Sequence, residues 1–416
     1  MEKLAVKSQH KSLQYCRDCQ PSWLKKVSAL FANCAGDNSQ YLLLEVFVMS
    51  IFTVPADFRI ESIKEIAKLN ENISIKIDEV YGNLKASTLG SGRKYSGLPE
   101  ASKEQIVEYI NFAKKNNIKF NYTINASCLQ NGEYKSESRE NIIHQISGLI
   151  DYGVEHVTIA LPSLIEIIRK EFPQLKVTVS VITGIDSLSK LEAFCEYENV
   201  DNIYIHEKAY RNFSLLKSLT KIAYSHNKKI GVIANSFCLS DCPYRQYHYN
   251  YGAHATIESG MIPEYYGYKC ALIKFDNKRN VLNMPWIRPD DINKYIDIGI
   301  DRFKVSGREM HNNDADINKV VSIYNDGFFN GNLAELLMCF SKSVYSEVFN
   351  IKNSVEVAQF LQDVFDEKIL CNRYGCSKCQ KCHKALSSIE VNSAALCKWT
   401  EFFENKINDF REGKIN

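Results

Sequence analysis

The most constraining feature of this chain is a rhythm: short apolar, β-branched runs alternate with amphipathic helical stretches over most of its length. The strand-like runs are Leu42–Phe52, Ile75–Asn83, Phe120–Ala126, His156–Pro162, Lys176–Thr183, Asn202–Glu207, Lys229–Asn235 and Arg302–Arg308. Helical patterns fall at Glu61–Asn70, Glu104–Asn116, Arg139–Tyr152, Leu188–Glu196, Phe213–His226, Asp290–Ile298 and Ala315–Phe328. The phrases DYGVEHVTIA and DIGIDRFKVS share one form: a helix end, a Gly suited to the left-handed cap, then a buried parallel strand. Eight strands with helices between them predict an α/β fold, a TIM-like (β/α)8 barrel, over a doubly wound open sheet.

The rhythm breaks twice. Ser236 to Ile287, between the seventh and eighth strands, is a long Cys-rich insertion with many Tyr and little apolar periodicity. Following a strand, it lies at the C-terminal barrel face, where active sites of such folds are built. From about Gly331 the chain reads as a helical, Cys-rich appendage. The expected organisation is an N-terminal segment 1–40, a barrel 41–330 and a C-terminal extension 331–416. Within 416 residues such a barrel builds a large core without a disulfide framework. With 45% hydrophobic and 24% charged residues the chain is not a disordered one. Its 51 basic and 49 acidic side chains give no general attraction to nucleic acid or membranes. No run of about 18 apolar residues suggests a membrane span. The opening MEKLAVKSQHKSLQYCRDCQ lacks a signal-peptide core, so a cytoplasmic location is expected.

For a chain expected in a reducing compartment, 14 Cys is a high count. Clustered thiols there more often bind metal than form disulfides. Cys371, Cys376, Cys379 and Cys382 form C-x4-C-x2-C-x2-C, with His383 adjoining. Such short links let one loop wrap a metal, and the C-x2-C-x2-C portion suits a 4Fe-4S loop, with zinc as the alternative. Cys238, Cys242 and Cys270 make a second group on the insertion. Cys128, just past the third strand at the same face, is the candidate fourth ligand. The expected cofactors are therefore one or two 4Fe-4S clusters. The competing reading is that these Cys are small buried hydrophobes. Cys16 and Cys19 form an isolated C-x2-C, and Cys34, Cys195 and Cys339 have no partner by spacing.

Among other polar groups, Arg308 in Ser306–Arg308 ends the eighth strand, where barrel enzymes place anion contacts. Leu89–Arg93 (LGSGR) reads as a phosphate- or carboxylate-binding loop or a simple turn. Glu79 and Tyr81 on the second strand, His206 and Glu207 at the sixth, and His248 and His254 in the insertion are placed to face the site. Arg308, His248 and Glu79 are the catalytic candidates. Tyr244, Tyr247, Tyr249 and Tyr251 read as packing for the insertion over the barrel.

The phrases CPYRQYHYNYGAH, WIRPDDINKYIDIGIDRFKVSGREM, VYGNLKASTLGSGRKYSGLP and FNYTINASC resemble the peptidase U32 family, the collagenase-like peptidases, over roughly residues 40 to 330. The resemblance implies a TIM-like barrel. Several members carry an oxygen-sensitive 4Fe-4S cluster and hydroxylate RNA bases or quinone precursors without molecular oxygen, while others were named as proteases. Cys238 and Cys242 match the C-x3-C ligand pair of some iron–sulfur members, and Cys270 fits as a later Cys. The expectation is an iron–sulfur enzyme acting on a small molecule, peptide or RNA base, with an electron donor or U32-like protein as partner. The alternatives are a peptidase and a zinc-stabilised maturation or binding protein. No G-x-S-x-G or H-E-x-x-H motif supports a peptidase. Arg245 stands where a radical S-adenosylmethionine enzyme would need its third Cys, which excludes that class.

Overall fold

The computed structural model describes residues 50–85, 89–92, 98–255, 264–307, 315–369 and 379–414. Eight strands pair in sequential order, all parallel, and the last closes on the first. They are β1 (Ile51–Pro55), β2 (Ile77–Gly82), β3 (Lys119–Ile124), β4 (His156–Ile159), β5 (Lys176–Val179), β6 (Val200–Tyr204), β7 (Lys229–Ile233) and β8 (Arg302–Lys304). The barrel expected from the rhythm is present. Its first strand begins later than the apolar run beginning at Leu42, whose residues 42–49 lie outside the described part. Apart from Glu45 and Ser50 the run is apolar, so hydropathy leaves the register open. Pairing of Ile51 with Arg302 and Phe52 with Phe303 sets it.

The outer layer comprises α1 (Ile60–Asn72), α2 (Lys103–Lys115), α3 (Ser136–Asp151), α4 (Pro162–Glu171), α5 (Leu188–Cys195) and α6 (Phe213–Ser225). Helix α2 starts on a capping box between Ser102 and Gln105. Gly153 and Gly299 hold φ of +92° and +95°, the left-handed turn into β4 and β8 that the two shared phrases imply. Helix α4 was hidden in the sequence because its apolar face continues the apolar run of β4. Pro162 marks its first turn.

The insertion forms α7 (Arg245–Ala255), α8 (Tyr265–Asp276) and α9 (Lys278–Leu282), followed by α10 (Ile292–Asp297) before β8. After β8 come α11 (Ile317–Asp326), α12 (Leu333–Leu337), α13 (Val344–Val348), α14 (Val355–Phe365), α15 (His383–Leu386) and α16 (Ser393–Arg411). The extension is not purely helical: β9 (Phe349–Ile351) and β10 (Ile389–Val391) pair antiparallel. From Val48 onward the chain is one compact unit. Helix α16 lies on α8, with Tyr268 stacked on Phe403 at 5.7 Å and Tyr265 against Phe410 at 4.7 Å. Helix α14 docks on the barrel through Phe365, whose ring centre is 4.0 Å from that of Phe213.

Strand parity sends Val80, Phe120, Val157, Val177, Ile203 and Val232 outward into the apolar layer under the helices, all of them buried. The lumen is polar. Thr158 Oγ1 donates to Asn121 Oδ1 (2.7 Å), and the amide nitrogens of Asn121 and Asn202 each donate to Thr178 Oγ1 (3.2 Å). Tyr204 reaches across to Thr53 Oγ1 (3.3 Å). Gly231 makes room for that ring, because a Cβ there would lie 2.5 Å from it. Deeper in, Arg302 faces Glu79 at 3.4 Å, the two being 3% and 2% exposed.

Candidate active site at the barrel mouth

The mouth is roofed by α7, which is fastened at both ends. At its start, Arg245 donates to Glu207 just past β6, to the carbonyl of Leu239, and to Tyr249 Oη at 3.4 Å. Ser236, following β7, donates to the other Glu207 oxygen at 2.7 Å. Burial works against the Arg245 charge, but the Glu207 carboxylate outweighs it and holds the guanidinium above its ordinary range. The Tyr249 hydroxyl is pushed up by burial and then by Glu207. At the other end, Ser127 beyond β3 donates to Asn250 Oδ1 at 2.7 Å. Gly252 lies against the backbone of Gly92, where a Cβ would come within 3.2 Å of the carbonyl oxygen. The Gly92 N–H in turn donates to Asn125 Oδ1 (3.0 Å), and Asn125 Nδ2 to Ser180 Oγ (3.0 Å). One helix thus ties together loops that follow β2, β3, β6 and β7.

The thiols of the insertion gather at the Arg245 end. Cys238, Cys242 and Cys270 are half-buried. Burial pushes the Cys242 thiol up, and the neighbouring Cys270 and Cys238 add to this by repulsion. The donor chemistry suits a thiolate-bound metal. Among the described residues, though, no three His, Cys, Asp or Glu side chains are drawn together tightly enough to hold a metal ion as they stand. Cys128 is half-buried and lines a cavity of about 290 Å³ together with His254, Gln130, Asn141 and Gln145. Its Sγ accepts from the Gln130 N–H at 3.3 Å, and the buried Nε2 of His254 has no hydrogen-bond partner. Cys382 is buried before α15 and Cys379 half-buried, whereas Cys371 and Cys376 lie outside the described residues.

The three catalytic candidates part company. Glu79 sits inside the lumen in its pairing with Arg302. His248 faces α8, with Nε2 3.6 Å from Glu264 Oε1 and its ring between those of Tyr251 and Tyr266. Arg308 lies outside the described residues. Sequence reasoning missed the roles of Arg245 and Lys304. The i, i+4 pair Arg245 and Tyr249 on a polar helix was the available signal for the first. Parity with Arg302 on β8 was the signal for the second. The Lys304 ammonium lies 3.5 Å from the ring centre of Tyr81 and 5.5 Å from that of Tyr204, at the upper end of the lumen.

The phrase WIRPDDINKYIDIGIDRFK proves largely architectural. Arg288 grips Asp291 with two bonds (2.9 and 3.1 Å), and Asp290 accepts from Asn353 of the extension (2.8 Å). Asp301 accepts from the Ile230 N–H (2.9 Å) and Tyr224 Oη (3.0 Å). Of its charged residues, Lys304 alone is found between ring faces at the mouth.

The model of peptidase family U32 matches residues 64–207, from α1 to the Glu207 that anchors the roof. A Methanocaldococcus jannaschii protein named as an uncharacterized protease is 28% identical over 334 residues, covering 79% of this chain and 95% of that protein. A solved U32 peptidase aligns with a TM-score of 0.47 at 16% identity, over 66% of this chain and 99% of its own. The similarity to peptidase family U32 thus lies in residues 64–207 for the family model and extends over most of the chain for this relative.

Proposed function

We propose that the chain is a U32 enzyme whose reaction centre is the barrel mouth beneath α7, with Cys238, Cys242 and Cys270 holding a 4Fe-4S cluster at its edge. The observation that supports this reading is that Cys238, Cys242 and Cys270, all free and half-buried, belong to the insertion that carries the roof helix. Binding would require those sulfurs to close on the cluster from their present spacing. A cluster on three thiolates leaves one iron open as a Lewis acid, whereas a fourth thiolate favours electron transfer. The chain's own part is to hold the roof by Arg245 and Glu207, limit water in the mouth, and present Lys304 as a positive charge. The reaction class is oxygen-independent hydroxylation or related redox chemistry on a small molecule, peptide or RNA base, with an electron donor or second U32-type protein as partner. Cys371, Cys376, Cys379 and Cys382 are proposed as a second site, for iron–sulfur or zinc.

Anaerobic purification of the wild type, Cys242→Ala and Cys379→Ala tests both sites. The expected result is iron and sulfide at about four each per cluster, with Cys242→Ala losing the barrel share. A preparation without iron or sulfide after reconstitution overturns the cluster. A peptidase is the second reading. It is favoured by the relative's printed name and by Cys128 and His254 lining one cavity. Peptide cleavage that survives iron removal and is lost in Cys128→Ala would establish it.

A further inference from the structure

On the outer layer of the barrel, residues of α3, α4 and the turn after α5 line a cavity of about 550 Å³. That is within the roughly 300–1,000 Å³ of small-molecule sites. No residue of α7 and no Cys lines it. Glu133 reaches it from the loop after β3. Two successive residues with left-handed backbone, Gln130 at φ +54° and Asn131 at +59°, lead into the single 3₁₀ turn Gly132–Tyr134 that carries it. Glu133 is 6% exposed. Its Oε1 accepts from the hydroxyl of Ser163 at 3.1 Å, and Ser163 lines the same cavity, which sets the carboxyl group on that wall. Its Oε2 is buried and has no hydrogen-bond partner among the described residues. Buried carboxylate oxygens are normally bonded, because burial strips them of water and only a donor offsets that loss.

The other charges on the wall narrow the occupant. Glu166 and Arg169 pair with each other at 2.8 Å, and Lys170 lies 3.1 Å from Glu171. Arg139, half-buried near the start of α3, is engaged by neither carboxylate of the cavity. A bare cation would meet three basic residues against two acidic ones, and a bare anion would face the open Glu133 oxygen. A molecule with both charges suits both walls. From this we infer that the cavity binds a small zwitterion, an amino acid or short peptide with both termini free. Its ammonium donates to Glu133 Oε2, its carboxylate accepts from the Arg139 guanidinium, and its apolar side chain lies on Pro162, Ile167 and Tyr197. The site is separate from the barrel mouth and does not depend on the cluster.

The test uses the full chain, with and without reconstituted iron, at neutral pH. Leucine, alanyl-leucine, N-acetyl-alanyl-leucine and alanyl-leucine amide are titrated while the melting midpoint is followed. Leucine or alanyl-leucine is expected to raise the midpoint saturably, equally with and without iron, and the two blocked peptides to bind about tenfold or more weakly. Glu133→Gln keeps the shape and an oxygen for Ser163. It is expected to weaken the free ligand about tenfold or more and to erase the preference over the acetylated peptide. Arg139→Met should erase the preference over the amide, and its partly exposed position leaves folding intact should Glu133→Gln fail to fold. No saturable response to either free ligand, an acetylated peptide that binds as well as the free one, or affinities unchanged in the variants overturns the inference.

Discussion

At the scale of single residues, the ion pair under the roof sets the largest stakes. Arg245 is 12% exposed and Glu207 3%. Arg245→Met leaves a buried carboxylate without its cation and is expected to cost about 3–5 kcal/mol in urea denaturation. The double variant with Glu207→Gln should recover part of that loss. Gly231→Ala drives a methyl into the Tyr204 ring, 2.5 Å away. It should destabilise by about 1–3 kcal/mol, with partial recovery on adding Tyr204→Leu. Two imidazoles govern the acid side. Burial holds His206 and His156 below the ordinary histidine range, and for His206 the Arg245 charge adds to it. The folded value is depressed, so the stability from the neutral rings is present above the unfolded pKa of about 6.5. It is lost as pH falls through the depressed values. Melting midpoints should therefore drop on acidification below about pH 6.5, and drop less in the His156→Gln/His206→Gln double variant.

Among elements, the α8–α16 contact joins the insertion to the extension. Phe403 is 8% exposed and meets Tyr268 and Phe275. Phe403→Ala should cost about 3–5 kcal/mol by denaturation. If α8 carries a cluster ligand in Cys270, iron retention should fall with it. This contact was not legible in the sequence. Tyr265, Tyr268 and Phe403 are far apart in the chain, and nothing in a local pattern pairs them. The barrel strands were legible because each buries one face under helices, which forces runs of Val and Ile such as Val177 and Val179. The edges of α4 and β1 were not, since an apolar run continuing into an apolar helix face carries no boundary mark. The Cys pattern of the insertion is readable in the sequence, whereas the tie from Arg245 to Glu207 joins residues 38 apart and carries no local mark.

Across the whole molecule, the extension is stapled to the barrel. The Asn235 amide donates to the carbonyls of Ser306 (2.9 Å) and Leu337 (3.2 Å) and accepts from the Ser306 N–H (2.7 Å). Asn235→Ala should loosen the extension, seen as faster proteolysis after residue 330 with the barrel fragment retained. The Asn and Thr belt inside the cylinder has a different consequence. An aliphatic filling can exchange one methyl for another with little penalty, but hydroxyls and amides bonded to one another must be replaced together. Thr178→Val alone abandons two amide donors, and drift at these positions is open only to paired changes.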